Sequence, residues 1–316
     1  MKKFIVFIMC AVLLIGTVRV ISLRYQDSPE DFEQIGEWIE VGKETVGEVT
    51  DSFSKKISEQ NWGLEGSYDI DSENWFDDEG VTYSGSMEYT RLCSGEIGSF
   101  SIQAAGCRVE VVVTEEPDFY FAFENMKKVQ AYEKGNHVSL KTVRDTLINE
   151  EDEKNILTLY VPETCFLETV ELELGAGSMQ IENLCAENVH ISVEAGKLTV
   201  DAMESKDMTV SLGAGVVSLN KVNIQNAELS VGAGTMSLNG RIHGDIEADC
   251  AMGNLQMELG DNVKSFNYEL QCMAGNILLN GEKHSGINEG MLIDHAASKD
   301  MKLNCAIGNM KIEFEE

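Results

Sequence analysis

Residues 170–182 read VELELGAGSMQIE, residues 208–220 read MTVSLGAGVVSLN and residues 227–239 read AELSVGAGTMSLN. These copies, and the less regular ones around them, align on a glycine that recurs every 19 residues until the spacing widens towards the end of the chain. The aligned glycines are Gly177, Gly196, Gly215, Gly234, Gly253, Gly275 and Gly308. Self-similarity at a fixed period is typical of stacked repeats, in which one short unit buries its apolar residues only by lying on its neighbour.

Apolar and polar residues alternate on both sides of the aligned glycine. In the first copy Leu172 and Leu174 precede it, Met179 and Ile181 follow it, and later copies hold apolar residues at nearly all of these positions. A period of two is that of a β-strand, and no apolar 3.6-residue period survives in these segments. The pattern therefore predicts an all-β fold, a single-stranded β-solenoid with coils of about 19 residues and two or three short strands per coil. The glycine marks the corner between two strands and predicts a backbone angle that is costly for a residue with a Cβ.

Polar residues close the second strand of each copy. Stacked polar side chains of this kind can form hydrogen bonds along the stack, as asparagine ladders do. The members of this column are Glu182, Asp201, Asn220, Asn239, Glu258, Asn280 and Glu313.

The spacing of the aligned glycines widens by three residues before Gly275 and by fourteen before Gly308. We expect both insertions to project from one side of the rod, and the second, within residues 281–300, to be a surface loop or part of a binding face. Residues 311–316 are predicted to form the last edge of the rod, which their charges protect from pairing. Residues 96–165 predict irregular first coils and a β-hairpin around residues 134–136 that cap the opposite end.

The composition disfavours several kinds of partner. The chain carries 54 Asp and Glu against 24 Lys and Arg, a formal net charge of −30, which argues against nucleic acid and against adhesion to anionic lipid. Three of the eight cysteines, Cys250, Cys272 and Cys305, occupy an inward column held by Leu or Val in other copies, so we interpret them as small buried hydrophobic residues. No cysteine or histidine spacing suggests a metal site, and no motif suggests a cofactor.

The N-terminal part of the chain differs from the repeats. Residues 1–25 contain a short apolar run after Lys2 and Lys3 and predict a membrane anchor or a signal peptide, with the uncleaved anchor preferred. Residues 26–60 have an apolar heptad period and predict an amphipathic helix that could dimerise the protein or pack on the solenoid. Residues 61–95 are acidic and predict a linker, which leaves residues 96–316 for the solenoid.

Two segments carry a resemblance to a known family. The run LTLYVP at residues 157–162, followed by VELELGAG at residues 170–177 and the repeated Gly-Ala-Gly corners, resembles the bacterial "putative adhesin" family of β-strand-repeat proteins, a domain of unknown function that includes LiaG-like membrane-anchored proteins. The resemblance covers about residues 96–316 and implies the solenoid fold. It implies no catalytic residues.

Three functions are compatible with these observations. The preferred one is a non-catalytic, membrane-tethered module outside the cytoplasm, adhesin-like or an envelope scaffold, with an unidentified protein or cell-envelope component as its partner. The alternative is a regulatory or polymer-forming partner in an envelope-stress system. A carbohydrate-active β-helix enzyme is the third, because Glu182 and Asp201 would lie about one coil apart, close to the carboxylate separation of retaining glycosidases. Their column also holds Asn220 and Asn239, so we predict that the protein is not an enzyme.

Overall fold

The computed structural model describes residues 80–93, 97–142, 154–285 and 289–315. The predicted anchor (1–25), the predicted amphipathic helix (26–60) and residues 61–79 of the predicted linker lie outside the described residues. The described part of the chain contains β-strands and a short 3-10 helix at Val263–Ser265. The strands are β1 (Val81–Arg91), β2 (Ser99–Ala104), β3 (Cys107–Thr114), β4 (Tyr120–Lys134), β5 (His137–Thr142), β6 (Ile156–Pro162), β7 (Leu167–Ile181), β8 (Leu184–Val200), β9 (Met203–Leu212), β10 (Val216–Val231), β11 (Thr235–Ile242), β12 (Ile246–Cys250), β13 (Asn254–Leu259), β14 (Phe266–Cys272), β15 (Asn276–Leu279), β16 (Glu282–His284), β17 (Glu289–Ile293), β18 (Lys299–Cys305) and β19 (Asn309–Phe314).

Each regular coil has three strand segments, which stack in parallel on the equivalent segments of the next coil. The first face holds the segment before the glycine corner, where Leu172 pairs with Ile191 and Ile191 with Val210. The second face holds the segment after that corner. The third face holds a shorter segment, in which Leu184 pairs with Met203. The register of 19 residues is the one that the sequence predicts, and the all-β solenoid is confirmed.

The core is a continuous column of apolar side chains inside the coils. Leu212 pairs with Val231, Val231 with Cys250, and Cys250 with Cys305, and each of these residues is at most 3% exposed. Cys272 pairs with Cys305 and is 4% exposed. Full burial of one Val or Leu side chain contributes about 1.5–3 kcal/mol to stability. The prediction that Cys250, Cys272 and Cys305 are small buried residues of this column is confirmed.

The aligned glycines lie at the corner between the first and second faces, and most of them are needed for close packing of the coils. Gly177 and Gly215 have φ values of +125° and +146°, in the region that favours glycine. The other five aligned glycines are not among the residues with positive φ. A Cβ at Gly234 would lie 2.7 Å from the carbonyl oxygen of Gly215, and one at Gly308 would lie 2.5 Å from that of Gly253. The predicted backbone angle therefore accounts for two positions, and contact with the carbonyl of the neighbouring coil accounts for the rest.

The coils at the C-terminal end do not stack in chain order. Strand β18 pairs with β12 on one side and with β14 on the other, and β19 lies in the same way between β13 and β15. The last coil of the sequence is thus inserted between the two coils that precede it. The prediction that residues 311–316 form the outer edge is wrong, because β19 is paired on both sides.

The long insertion makes this order possible. Within residues 281–300, β16 pairs antiparallel with β15 and β17 pairs antiparallel with β14, so the insertion covers the end of the stack. The prediction that this insertion projects from one side is wrong for these two strands. The shorter insertion lies before β14, where the 3-10 helix turns the chain between the two coils.

The N-terminal end shows the same inversion. The coil formed by β2 and β3 lies between β7 and a coil formed by β5 and β6, which follow it in sequence. Strand β4 covers β5 and β6 in antiparallel pairing, and β1 pairs antiparallel with β4. The predicted hairpin is confirmed as β4–β5. The predicted linker 61–95 is wrong at residues 81–91, because β1 is a strand of the sheet.

Candidate functional site: an acidic groove on the first face

A shallow groove of about 320 Å³ runs along the outer surface of the first face. We call it the acidic groove, because five carboxylate residues and one lysine are among its lining residues. The inverted order of the last coils builds it, since β18 brings two of these residues next to β12. The lining residues are Asp207, Met208, Thr209, Asn226, Ala227, Glu228, Asp245, Ile246, Glu247, Asp300 and Lys302.

One wall of the acidic groove is a ladder of Asn and Asp side chains. Asn226 Nδ2 donates a hydrogen bond to Asp207 Oδ1 at 2.7 Å, and the backbone N–H of Asp245 donates to Asn226 Oδ1 at 3.1 Å. The backbone N–H of Asp300 donates to Asp245 Oδ1 at 2.8 Å, and Asn267 Nδ2 donates to Asp300 Oδ1 at 2.9 Å. These bonds run from coil to coil, so the three carboxylates of the wall are held in place by the fold.

The opposite wall carries Glu228, Glu247 and Lys302. Lys302 Nζ lies 2.7 Å from Glu247 Oε1, and this hydrogen bond raises the pKa of Lys302. Partial burial raises the pKa of Glu228, and the nearby charges of Glu247 and Asp249 add to that shift. Five carboxylates against one ammonium group give the groove a local excess of negative charge, which suits a cationic partner.

The polar ladder that the sequence predicts lies in a different column, the one that closes the second strand of each copy. Within the described residues of that column, Asn239 Nδ2 donates to Glu258 Oε2 at 3.2 Å. Glu182 Oε2 accepts a hydrogen bond from the backbone N–H of Val113 at 3.0 Å, so its carboxylate contacts the end of β3. The sequence also carries a signal for the ladder that lines the groove, because Asn or Asp recurs every 19 residues from position 188 to position 245.

The seven aligned glycines lie outside the acidic groove, at the corner that ends the first face. Within residues 80–93, 97–142, 154–285 and 289–315 no group of three or more His, Cys, Asp and Glu could hold a metal ion. In the same part of the chain no helix has the length and hydropathy needed to cross a membrane.

The buried cysteines form a second cluster, of thiol groups that would be nucleophiles if they were ionised and accessible. The thiol of Cys250 donates to the carbonyl oxygen of Gly253 at 3.2 Å, and that of Cys305 donates to Gly308 O at 3.1 Å. The hydrogen bond between the thiols of Cys250 and Cys305 lowers the pKa of Cys250 and raises that of Cys305, and burial adds to the rise at Cys305. Both side chains are at most 2% exposed, and a thiol without solvent access is a poor nucleophile, so this cluster serves packing.

Stacked parallel coils around one apolar column place the chain in the class of β-solenoid proteins. Residues 120–313 match the model of the Toastrack DUF4097 family, and the chain belongs to that family. This confirms the predicted membership in a bacterial adhesin-like family whose domain has no known function.

Solved structures described as adhesins resemble the chain at low identity. A "putative cell adhesion protein" from Clostridium sporogenes is 10% identical, with a TM-score of 0.35 over 75% of this chain and 100% of that one. A "putative adhesin" from Bacteroides fragilis is 10% identical, with a TM-score of 0.39 over 75% of this chain and 98% of that one. A "putative adhesin" from Parabacteroides merdae is 9% identical, with a TM-score of 0.31 over 76% and 98% of the two chains. No curated protein matches the chain.

Proposed function

We propose that the protein is a non-catalytic interaction module of the cell envelope, tethered to the membrane through residues 1–25 and facing outside the cytoplasm. Its adhesin-like role is to bind a basic segment of a partner protein along the acidic groove. The observation that carries this proposal is the coil-to-coil ladder of the groove, which holds Asp207, Asp245 and Asp300 in a row before any partner is bound. Preorganised charges bind a cationic partner without the entropy cost of ordering them.

The non-catalytic assignment is supported by the contact of Glu182, one of the two candidate catalytic carboxylates, which accepts a hydrogen bond from the backbone N–H of Val113. Among the carboxylates of the groove, Glu247 is paired with Lys302. The membrane tether is supported by the apolar run within residues 4–18 that follows two lysines. Extraction of cell membranes with alkaline carbonate tests the tether, and digestion of intact cells with an added protease tests the orientation. Release of the protein by carbonate, or its survival in intact cells while it is digested in lysed cells, contradicts this part of the proposal.

Binding at the groove can be tested with fluorescent decalysine and the full-length protein in detergent at low salt. The double variant Glu228→Gln/Glu247→Gln removes two negative charges from the groove, and we expect it to weaken binding by about five- to tenfold, because each exposed ion pair contributes up to about 1 kcal/mol. The difference should shrink as the salt concentration rises.

The matched control is Glu163→Gln/Glu194→Gln, which removes the same charge from exposed positions outside the groove. We expect this control to retain the wild-type affinity within about twofold. Equal losses in both double variants would show that decalysine responds to the net charge of the chain and would contradict a site at the groove.

A further inference from the structure

Strand β17 forms an open sheet edge at the C-terminal end of the stack. Its residues Glu289–Ile293 pair with β14 over five consecutive positions without a register shift. Among the described residues, the only strand whose register with β17 is established is β14, so the other side of β17 has no strand partner there. A regular strand with one unpaired side presents a row of N–H and C=O groups that can bind another strand.

Apart from Glu289 at its first position, the sequence of β17 lacks the residues that usually protect such an edge. Residues 289–293 read EGMLI, with no lysine, arginine or proline. The side chain of Leu292 is 81% exposed and that of Met291 is 44% exposed. Exposed apolar residues on an unpaired, regular strand favour association.

The edge at the other end of the stack is different. The register of β1 against β4 shifts between Tyr83 and Gly85, between Gly85 and Met87, and between Met87 and Thr90. Bulges of this kind break the regular row of hydrogen-bonding groups and protect an edge. Strand β1 is therefore a poor partner for β17, and head-to-tail assembly through these two strands is disfavoured.

We propose that β17 pairs with β17 of a second copy of this chain, antiparallel and across a twofold axis, so that two solenoids join end to end. In the register centred on Met291, Met291 faces its own copy, Gly290 faces Leu292 of the second copy, and Glu289 faces Ile293. Charged residues of the same sign do not meet in this register, although the chain as a whole is strongly acidic. A twofold interface requires a self-complementary surface, and this strand provides one.

The pairing is small, since one strand of five residues buries far less than the roughly 1,600 Å² of a standard interface. We therefore expect weak association in dilute solution and stronger association where copies are concentrated. Tethering to a membrane, which rests on the proposed function, would supply that concentration. The pairing itself does not depend on the acidic groove.

The first test is disulfide trapping between copies of the full-length protein. With Met291→Cys, mild oxidation should yield a covalent dimer well above the background given by the native thiols of the unmodified chain, because the two sulfur atoms would face each other across the axis. The matched control is Ile307→Cys, at a residue that is 55% exposed but lies at the glycine corner, and it should stay at background. Equal dimer yields for the two variants would overturn the proposal.

The second test is sedimentation velocity of the full-length protein in detergent over a concentration series. Leu292→Lys should weaken self-association at least roughly tenfold, because two lysines would enter a small apolar interface. Ile307→Lys should leave self-association unchanged, and an unchanged unfolding temperature would show that both variants are folded.

A dimer that persists in Leu292→Lys and is not trapped by Met291→Cys would place self-association elsewhere, for example in residues 29–60, and would overturn the proposal. Decalysine binding should be the same in Leu292→Lys as in wild type, which keeps this test separate from that of the groove.

Discussion

The N-terminal and C-terminal ends of the stack use the same inversion of coil order but cover it to different extents. At the N-terminal end the outer coil is covered by the 15 residues of β4 and then by the 11 residues of β1. Aromatic rings hold this cover together: Tyr89 stacks on Tyr120 at 4.3 Å, and Tyr83 packs edge-on against Phe121 at 5.6 Å. At the C-terminal end the cover consists of β16 and β17, with three and five residues.

The difference shows that one end of a solenoid can have its apolar interior covered and still keep a strand edge that can pair with another strand. Both ends bury the apolar interior by turning the outermost strands antiparallel to the coils. The bulges of β1 also remove a regular edge, whereas β17 keeps one. Inversion of the coil order gives both ends a further property, because the first coil (β2 and β3) and the last coil (β18 and β19) become internal parts of the stack.

The largest expected effect on stability comes from removing the last coil, formed by β18 and β19. A chain that stops after Ser298 lacks β18 and β19, which pair with β12 and β13 on one side and with β14 and β15 on the other. Each backbone hydrogen bond contributes about 1 kcal/mol net, so we expect a loss of many kcal/mol and exposure of residues 266–285 to protease. Limited proteolysis with mass spectrometry measures this.

The matching variant at the N-terminal end is a full-length chain in which a Gly-Ser segment of equal length replaces residues 81–91, that is, strand β1. Because β1 pairs with β4 on one side only, we expect a much smaller loss of stability and no protease sensitivity beyond residue 166. If stopping after Ser298 leaves residues 266–285 protected, the coils stack in chain order and the inversion is wrong.

Alanine substitutions of two glycines should have a smaller effect on stability, and they compare the middle of the stack with its N-terminal end. Gly215 and Gly135 both have positive φ, +146° and +66°. A Cβ at Gly215 would collide with the carbonyl oxygen of Gly196, whereas nothing lies within 4 Å of a Cβ at Gly135. An alanine at either position costs roughly 1–2 kcal/mol for the backbone angle, and overpacking adds about 1–3 kcal/mol at Gly215.

Urea unfolding of Gly215→Ala and Gly135→Ala measures the difference between the two positions. We expect Gly215→Ala to be the more destabilising by about 1–3 kcal/mol. Equal losses would mean that the backbone angle alone explains the glycine at this corner and that the contact between coils does not matter.

The period of the sequence predicts which residues are equivalent, but it does not predict which coils are neighbours. Leu212, Val231 and Cys250 could be assigned to one inward column because apolar residues recur at a fixed distance from the glycine. Cys305 fits that column equally well after Cys272 or after Cys250. The structure places it between them, and this depends on the antiparallel strands within the long insertion.

The acidic groove could be predicted only in part for the same reason. Asp207, Asn226 and Asp245 follow the 19-residue spacing and belong to consecutive coils. Asp300 and Lys302 complete the groove only because the last coil lies next to β12. A linear stack would have placed Asn267 next to Asp245, and the ion pair between Lys302 and Glu247 would not form.

The smallest expected effect concerns Glu228, in the middle of the stack. Because its pKa is raised in the folded protein, the ionised carboxylate is disfavoured there, and wild-type stability falls as the pH rises from the usual carboxyl pKa through the raised value. Glu228→Gln removes that cost, so the variant should be more stable than wild type at pH 7, by less than about 1 kcal/mol since the group is partly exposed and screened. The gain should disappear as the pH falls below the usual carboxyl range.

Urea unfolding at a series of pH values measures this gain, with Glu194→Gln at the glycine corner as the control for removing one exposed charge. The control separates the local field of the groove from the net charge of the chain, because both variants lower the total negative charge equally. A gain for Glu228→Gln that matches the control at every pH would mean that neither burial nor the charges of Glu247 and Asp249 raise the pKa of Glu228. The groove would then be no more acidic in effect than the rest of the solenoid surface, and its preference for a basic partner would have no local origin.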